Sequence, residues 1–284
     1  MEIFLQQVVN GLALASVYAL LAVGITLIFG LTGVVNFAHG EFLVVGALIG
    51  YSATRLGLPF PFAVMLATLS MGLAGLLIER FLFRPIAAEP IRGFIVSLGL
   101  IVALQHIALK IWGGEQQAID APLPQILSLG EVRISAMRIV VTIVTGVVLL
   151  AFFIMLKRSR WGQALRAIAI DRETASTMGV PVHRYVAGML AIGTALAGLG
   201  GALLLSLFPM SPFSGGTYTI KGFAVAIIGG LGSVSGALIA AVLIGLTEAI
   251  ASGYFSPAWT NAYAFGAMIL ILLLRPSGLR GTAA

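Results

Sequence analysis

Four polar side chains stand in otherwise apolar stretches: Asn36, His39 and Glu41 within residues 30–52, and Glu248 late in the run of residues 235–251. Polar and ionisable groups in such surroundings mark a substrate or ion path, or they satisfy backbone groups freed where a helix breaks. Both roles stand open for these four. Glu41 follows a break at Gly40, near the N-terminus of a half-helix, where the helix dipole favours a carboxylate. Gly33, Gly232 and Ser233 lie in stretches interrupted by several glycines. Irregular backbone at membrane depth is tolerated only when it is buried or faces a cavity, so these residues are expected to line a path with Asn36, His39, Glu41 and Glu248.

Other chemistries are excluded by the residues present. The chain has no cysteine, and its three histidines, His39, His106 and His183, share no metal-ligand spacing; no metal site is expected. There is no Gly-x-x-x-x-Gly-Lys-Ser/Thr loop and no Gly-x-Ser-x-Gly elbow. No catalytic residue and no cofactor is therefore assigned, and the chain is not expected to be an enzyme. If ATP drives its work, another chain binds the nucleotide.

The elements that must position these residues follow from composition. Of 284 residues, 16 are Lys or Arg and 10 are Asp or Glu, while 60% are hydrophobic. A soluble domain carries about 25% charged residues, roughly three times this share. The expected solvent is a lipid bilayer, and the expected fold is an all-α polytopic helical bundle forming a single transmembrane domain over residues 1–284. Runs of about 20 apolar residues, the length that crosses the hydrocarbon core, fall at residues 8–29, 62–83, 93–112, 139–156, 185–207, 235–251 and 258–274. Two further stretches, residues 30–52 and 219–233, are glycine-broken, giving about 8 to 9 crossings in all. The first run is too long for a signal-peptide core and lacks a basic region before it, so it reads as a crossing.

Lys and Arg set the orientation. Residues 157–184 hold Lys157, Arg158, Arg160, Arg166, Arg172 and Arg184, and Arg84 and Arg92 follow Arg80. Residues 113–135 instead hold Glu115, Asp120 and Glu131 against Arg133. The basic segments are expected in the cytoplasm and residues 113–135 outside, with the N-terminus outside and Arg275 and Arg280 inside. Small residues at helical spacing, Gly11, Ala15 and Ala19 and again Gly193, Ala197 and Gly201, predict close helix packing within the chain, or else a subunit interface.

Within residues 157–184, Asp171 is suited to an N-cap, Glu173 to the first turn, and Gly179 to the left-handed position after a helix, with Pro181 preventing continuation. The signals predict a separately capped helix of about seven residues, over 172–178. On it Ala175 and Met178 are expected to share a face, and the small Ala175 to permit close approach by a partner.

The motifs Asn36-Phe37-Ala38-His39-Gly40-Glu41, Glu79-Arg80 with Arg84-Pro85, Ser159-Arg160-Trp161-Gly162-Gln163-Ala164-Leu165-Arg166-Ala167, Met178-Gly179-Val180, Gly229-Gly230-Leu231-Gly232-Ser233 with Gly236-Ala237, and Glu248-Ala249 with Arg275-Pro276-Ser277-Gly278 run in order along nearly the whole chain. In these the chain resembles the LivH-type permease subunit of bacterial ABC importers for branched-chain amino acids. The resemblance implies residence in the bacterial inner membrane. It also implies a LivM-like second permease subunit, two cytoplasmic ATPase subunits that bind the ATP, and a periplasmic substrate-binding protein; no nucleic acid is expected as a partner. Related permeases carry urea, amides and small organic acids. On this reading Trp161, Gly162, Arg166, Asp171, Glu173, Ala175, Met178 and Gly179 form the coupling segment that meets the ATPase. The alternative is an ion-coupled secondary transporter in which Glu41 and Glu248 carry protons. A channel would need a ring-forming charged motif, and the sequence has none.

Overall fold

The computed structural model describes residues 2–86, 89–120, 122–129 and 132–280. Its helices are α1 (Glu2–Thr32), α2 (His39–Arg55), α3 (Phe60–Ile78), α4 (Pro90–Trp112), α5 (Ala136–Arg158), α6 (Arg160–Ile170), α7 (Arg172–Thr177), α8 (Val182–Leu205), α9 (Gly215–Gly229), α10 (Val234–Tyr254) and α11 (Thr260–Leu274). A π-helical turn, Glu79–Phe83, and a 3-10 turn, Arg84–Ile86, extend α3, and a second 3-10 turn, Pro257–Trp259, precedes α11. Among the described residues seven helices are long and apolar enough to cross a membrane, and they coincide with the seven uninterrupted apolar runs of the sequence.

Of the other four helices, α2 and α9 are the longer, at 17 and 15 residues. The first interrupted stretch breaks only at residues 33–38, because α1 continues through Gly30 to Thr32. Gly33, at φ +65°, turns the chain out of α1. The chain then runs back alongside α1, so that His39 at the start of α2 lies against Gly24. That is about 12 Å short of the end of α1 at ~1.5 Å per residue. The second stretch differs from the expectation. α9 runs unbroken through Gly222 to Gly229, and the break lies at residues 230–233, where Gly230 and Gly232 have φ of +93° and +91°. Gly222 packs instead against Ile25 and Leu21 of α1.

α1 and α8 form the centre: residues 17–23 of α1 and most of α8 from Met189 to Leu205 are buried. α10 lies along α1, and α2 and α3 lie along α8. These approaches are as close as missing side chains allow. A Cβ on Gly46 would strike the Gly198 backbone, one on Gly201 the carbonyl of Leu43, one on Gly245 the Ala15 backbone, and one on Gly11 the Cα of Leu246. Both small-residue triplets therefore serve packing inside the chain, by bringing helix backbones together. The peripheral helices behave oppositely. Leu69 and Leu73 of α3, Ile107 of α4, Val147 and Leu150 of α5, and Leu270 and Leu273 of α11 are exposed, apolar outward faces that hydrocarbon solvates.

Between α4 and α5 the chain forms an antiparallel hairpin, β1 (Ile126–Leu129) and β2 (Val132–Ser135), an addition to the expected all-helical fold. Gln117 exchanges backbone hydrogen bonds of 2.8 and 2.9 Å with Met210, fastening this loop to the segment between α8 and α9. Glu131, counted above among the acidic residues of the loop, lies outside the described residues.

Candidate functional site

Of the groups buried in the bundle, the cluster around Glu248 has the densest bonding. Glu248 of α10 forms an ion pair with Lys221 of α9, Nζ to Oε1 2.7 Å, and the Tyr18 hydroxyl of α1 donates to its two carboxylate oxygens at 3.0 and 2.9 Å. Lys221 also donates to the Tyr18 hydroxyl at 3.1 Å. The three residues are 3, 6 and 1% exposed for Glu248, Lys221 and Tyr18. They border a cavity of about 460 Å³ whose other polar walls include Asn10, Arg138, Thr217 and Ser252. Arg138 donates to the Asn10 side chain, both residues lining the cavity. Lys221 was not among the residues expected from the sequence. Its signal was there: it is the only charged residue between Gly215 and Gly229, and such a charge requires a partner.

Glu41 has separate partners. It lies in the first turn of α2, accepts a hydrogen bond from Gln105 of α4 at 2.8 Å, and packs against Gly215, the first residue of α9. The start of α2 is closed without a side-chain cap of its own. Thr219 of α9 accepts the Gly40 N–H at 3.0 Å and donates to the Phe37 carbonyl at 3.1 Å. Asn36 accepts the Ala38 N–H at 3.0 Å, and Thr32 accepts that of Val34 at 3.2 Å. The break thus keeps these backbone groups bonded inside the bundle, as apolar surroundings demand. The Asn36 amide nitrogen and both ring nitrogens of His39 are buried with no protein partner among the described residues.

The residues expected to line a path fall into different regions. Asn36 borders a cavity of about 230 Å³ with Thr32, Glu79, Arg84, Arg172 and His183. Gly232 and Ser233 border another, of about 440 Å³, with Gly30, Lys157 and Arg166. Ser233 also caps α10, accepting the Gly236 N–H at 3.2 Å. Gly33 and Gly232 face open space where a side chain would start; positive φ, rather than crowding, requires glycine at both.

At the basic end of the bundle the coupling candidates form two short helices. α6 is additional to the single helix expected: Ser159 caps it by accepting the Gly162 N–H at 3.0 Å, and Gly162 lies directly on the Leu156 backbone. Trp161 packs against Tyr185 with ring centroids 6.0 Å apart, and Arg166 donates to the Leu156 carbonyl. α7 has the expected caps. Asp171 accepts the N–H groups of Glu173 and Thr174 at 2.9 and 3.0 Å and the Thr174 hydroxyl at 2.6 Å, and Gly179 has φ +83°. The Thr174 hydroxyl and amide hold the Asp171 carboxyl below the usual carboxylate range.

The outward role expected of Ala175 is corrected. Ala175 is buried against Ile168 of α6 and Val182 of α8, because the turn at Asp171 folds α7 back on its neighbours. The exposed apolar side chains of the pair are Ile170 and Met178, at 87 and 81%.

A family model described as branched-chain amino acid transport system / permease component matches residues 7–273. The chain is 34% identical to the high-affinity branched-chain amino acid transport system permease protein BraD of Pseudomonas aeruginosa, over 98% of this chain and 96% of that protein. It is 31% identical to LivH of Escherichia coli K12, again over 98 and 96%. It is 28% identical to a probable LivH of Methanocaldococcus jannaschii, over 94 and 89%. No solved structure gives a significant match.

Proposed function

We propose, because this chain belongs to the family of branched-chain amino acid transport permease components, that it is the membrane-spanning subunit through which an ABC importer passes branched-chain or related small amino acids into the cytoplasm. The observation that carries this reading is the family match along residues 7–273, nearly the whole helical bundle. The chain is a multi-pass membrane protein. Separate ATPase subunits supply the energy, a second permease subunit completes the path, and an external binding protein delivers the cargo.

The basic end, with α6 and α7, faces the cytoplasm of a bacterial inner membrane, in keeping with the excess of Lys and Arg there. The hairpin loop and the Glu248 cavity face outward. Residues 33–55 and α9 complete two further crossings beside the seven long helices, nine in all with α11 ending inside. Support for this comes from the Gly232–Gly30 approach, which brings the end of α9 to the end of α1, and from Leu279 and Arg280, whose amides bond the carbonyls of Ile228 and Gly229. The α6–α7 pair is the coupling element, and Ile170 and Met178 are its contact with the ATPase. Glu248 is neutralised by Lys221, which weighs against a secondary transporter that uses it as a free proton carrier.

The test is assembly. Co-expressed with its neighbouring transporter genes, the chain should co-purify with two ATPase subunits and a second permease, and leucine-loaded binding protein should stimulate ATP hydrolysis. A chain that purifies alone and takes up leucine without any ATPase would refute the reading.

A further inference from the structure

We infer that Tyr18, Lys221 and Glu248 form a transient docking site for the zwitterionic head of the transported amino acid, its α-carboxylate displacing Glu248 from Lys221 while its α-ammonium takes the place of Lys221 on Glu248. The inference rests on the permease reading and deepens it.

Three helices far apart in sequence contribute one group each, and all three groups are more than nine-tenths buried. The cluster borders an open cavity of about 460 Å³, within the range of about 300–1,000 Å³ that small-molecule sites occupy. Packing does not require it. α1 and α10 are already joined by Gly11 on Leu246 and Gly245 on Ala15, and α9 meets α1 through Gly222. A buried ion pair contributes little net stability compared with apolar residues of similar size, so its presence beside a cavity calls for another use.

Charge conservation then selects the ligand. The pair is neutral, and a zwitterion is neutral, so exchange leaves two new ion pairs and no bare charge in low dielectric. A monocarboxylate would take Lys221 and leave Glu248 uncompensated; a monoamine would do the reverse, and either is costly. Tyr18 can hold Glu248 during the exchange, because its hydroxyl already reaches both carboxylate oxygens at 2.9 and 3.0 Å. A pair that is only modestly stable when closed would release the cargo as it re-forms. That suits a conduit rather than a tight receptor.

The experiment uses the purified complete transporter with Thr217→Cys, a position on the cavity wall, and follows its maleimide labelling without binding protein. Leucine should slow labelling roughly tenfold, corresponding to about 1.4 kcal/mol of differential occupancy, whereas 4-methylpentanoate and 3-methylbutylamine should not. The Lys221→Met/Glu248→Gln double variant should lose the leucine effect and accumulate far less leucine in ATP-driven uptake than the unaltered transporter. If that variant fails to assemble, Lys221→Glu/Glu248→Lys, which keeps a neutral pair, should retain protection by leucine. Equal effects of the three probes, no effect of leucine, protection that survives the double variant, or loss of protection in an assembled charge-exchanged complex would each overturn the proposal. Failure of the permease reading is a separate result, the absence of ATP-driven uptake by the unaltered complex.

Discussion

The Thr219 hydroxyl stands in the place of a helix cap for Gly40: it accepts the Gly40 N–H at 3.0 Å and returns its own proton to the Phe37 carbonyl at 3.1 Å. The two short helices, α2 and α9, are thereby joined at the level of the chain break, so a movement of one must be felt at the start of the other. Thr219→Val removes both bonds without changing shape. Leaving the two backbone groups unpaired should cost about 1–3 kcal/mol each, seen as a lower thermal midpoint of the detergent-solubilised protein, and Thr219→Ser should recover most of it.

Gly46→Leu should prevent folding, because the new side chain meets the Gly198 backbone, which cannot move aside as a side chain can. The loss should exceed the ~1–3 kcal/mol of ordinary overpacking. Gly146→Leu, on the exposed face of α5 with open space where the side chain would start, should be inserted and stable. Comparable yields of both variants in gel filtration would contradict the described crossing of α2 and α8.

At α6 and α7, proposed as the coupling element, Met178→Glu and Ile170→Glu should leave the chain folded and weaken ATPase association, by about 2 kcal/mol or more if each fills a pocket at the interface. Ala175→Trp should act differently. It has no room between Ile168 and Val182, so it should disorder α6 and α7 themselves, measurable as faster proteolysis of that segment even in the absence of ATPase.

Orientation is tested in the naturally cysteine-free chain. Glu115→Cys, outside the bundle in the hairpin loop, should react with a membrane-impermeant maleimide in intact spheroplasts. Met178→Cys should react only after the membrane is broken. The reverse pattern would invert the topology.

The seven long helices were legible because crossing a bilayer demands about 20 apolar residues whatever the tertiary partners are. The breaks were located less well. Gly222 and Gly230 look alike in sequence, yet one is glycine to admit the side chains of Leu21 and Ile25, the other to adopt positive φ. Caps at Asp171 and Gly179 were readable since capping is local, whereas the inward turn of Ala175 depends on Val182, which only the folded chain brings near. Helix α6 was missed for want of an apolar run, although Ser159 marked its start. Glu248 was singled out; its partner Lys221, 27 residues away, was not, because a single lysine among glycines and aliphatics carries no periodic signal.

The most direct measurement is leucine accumulation in proteoliposomes containing this chain with the proposed second permease subunit and ATPases. Uptake against a gradient should require both ATP on the ATPase side and loaded binding protein, and should persist when a protonophore abolishes any proton gradient. Accumulation driven by an imposed proton gradient, without ATP and by this chain alone, would contradict the account.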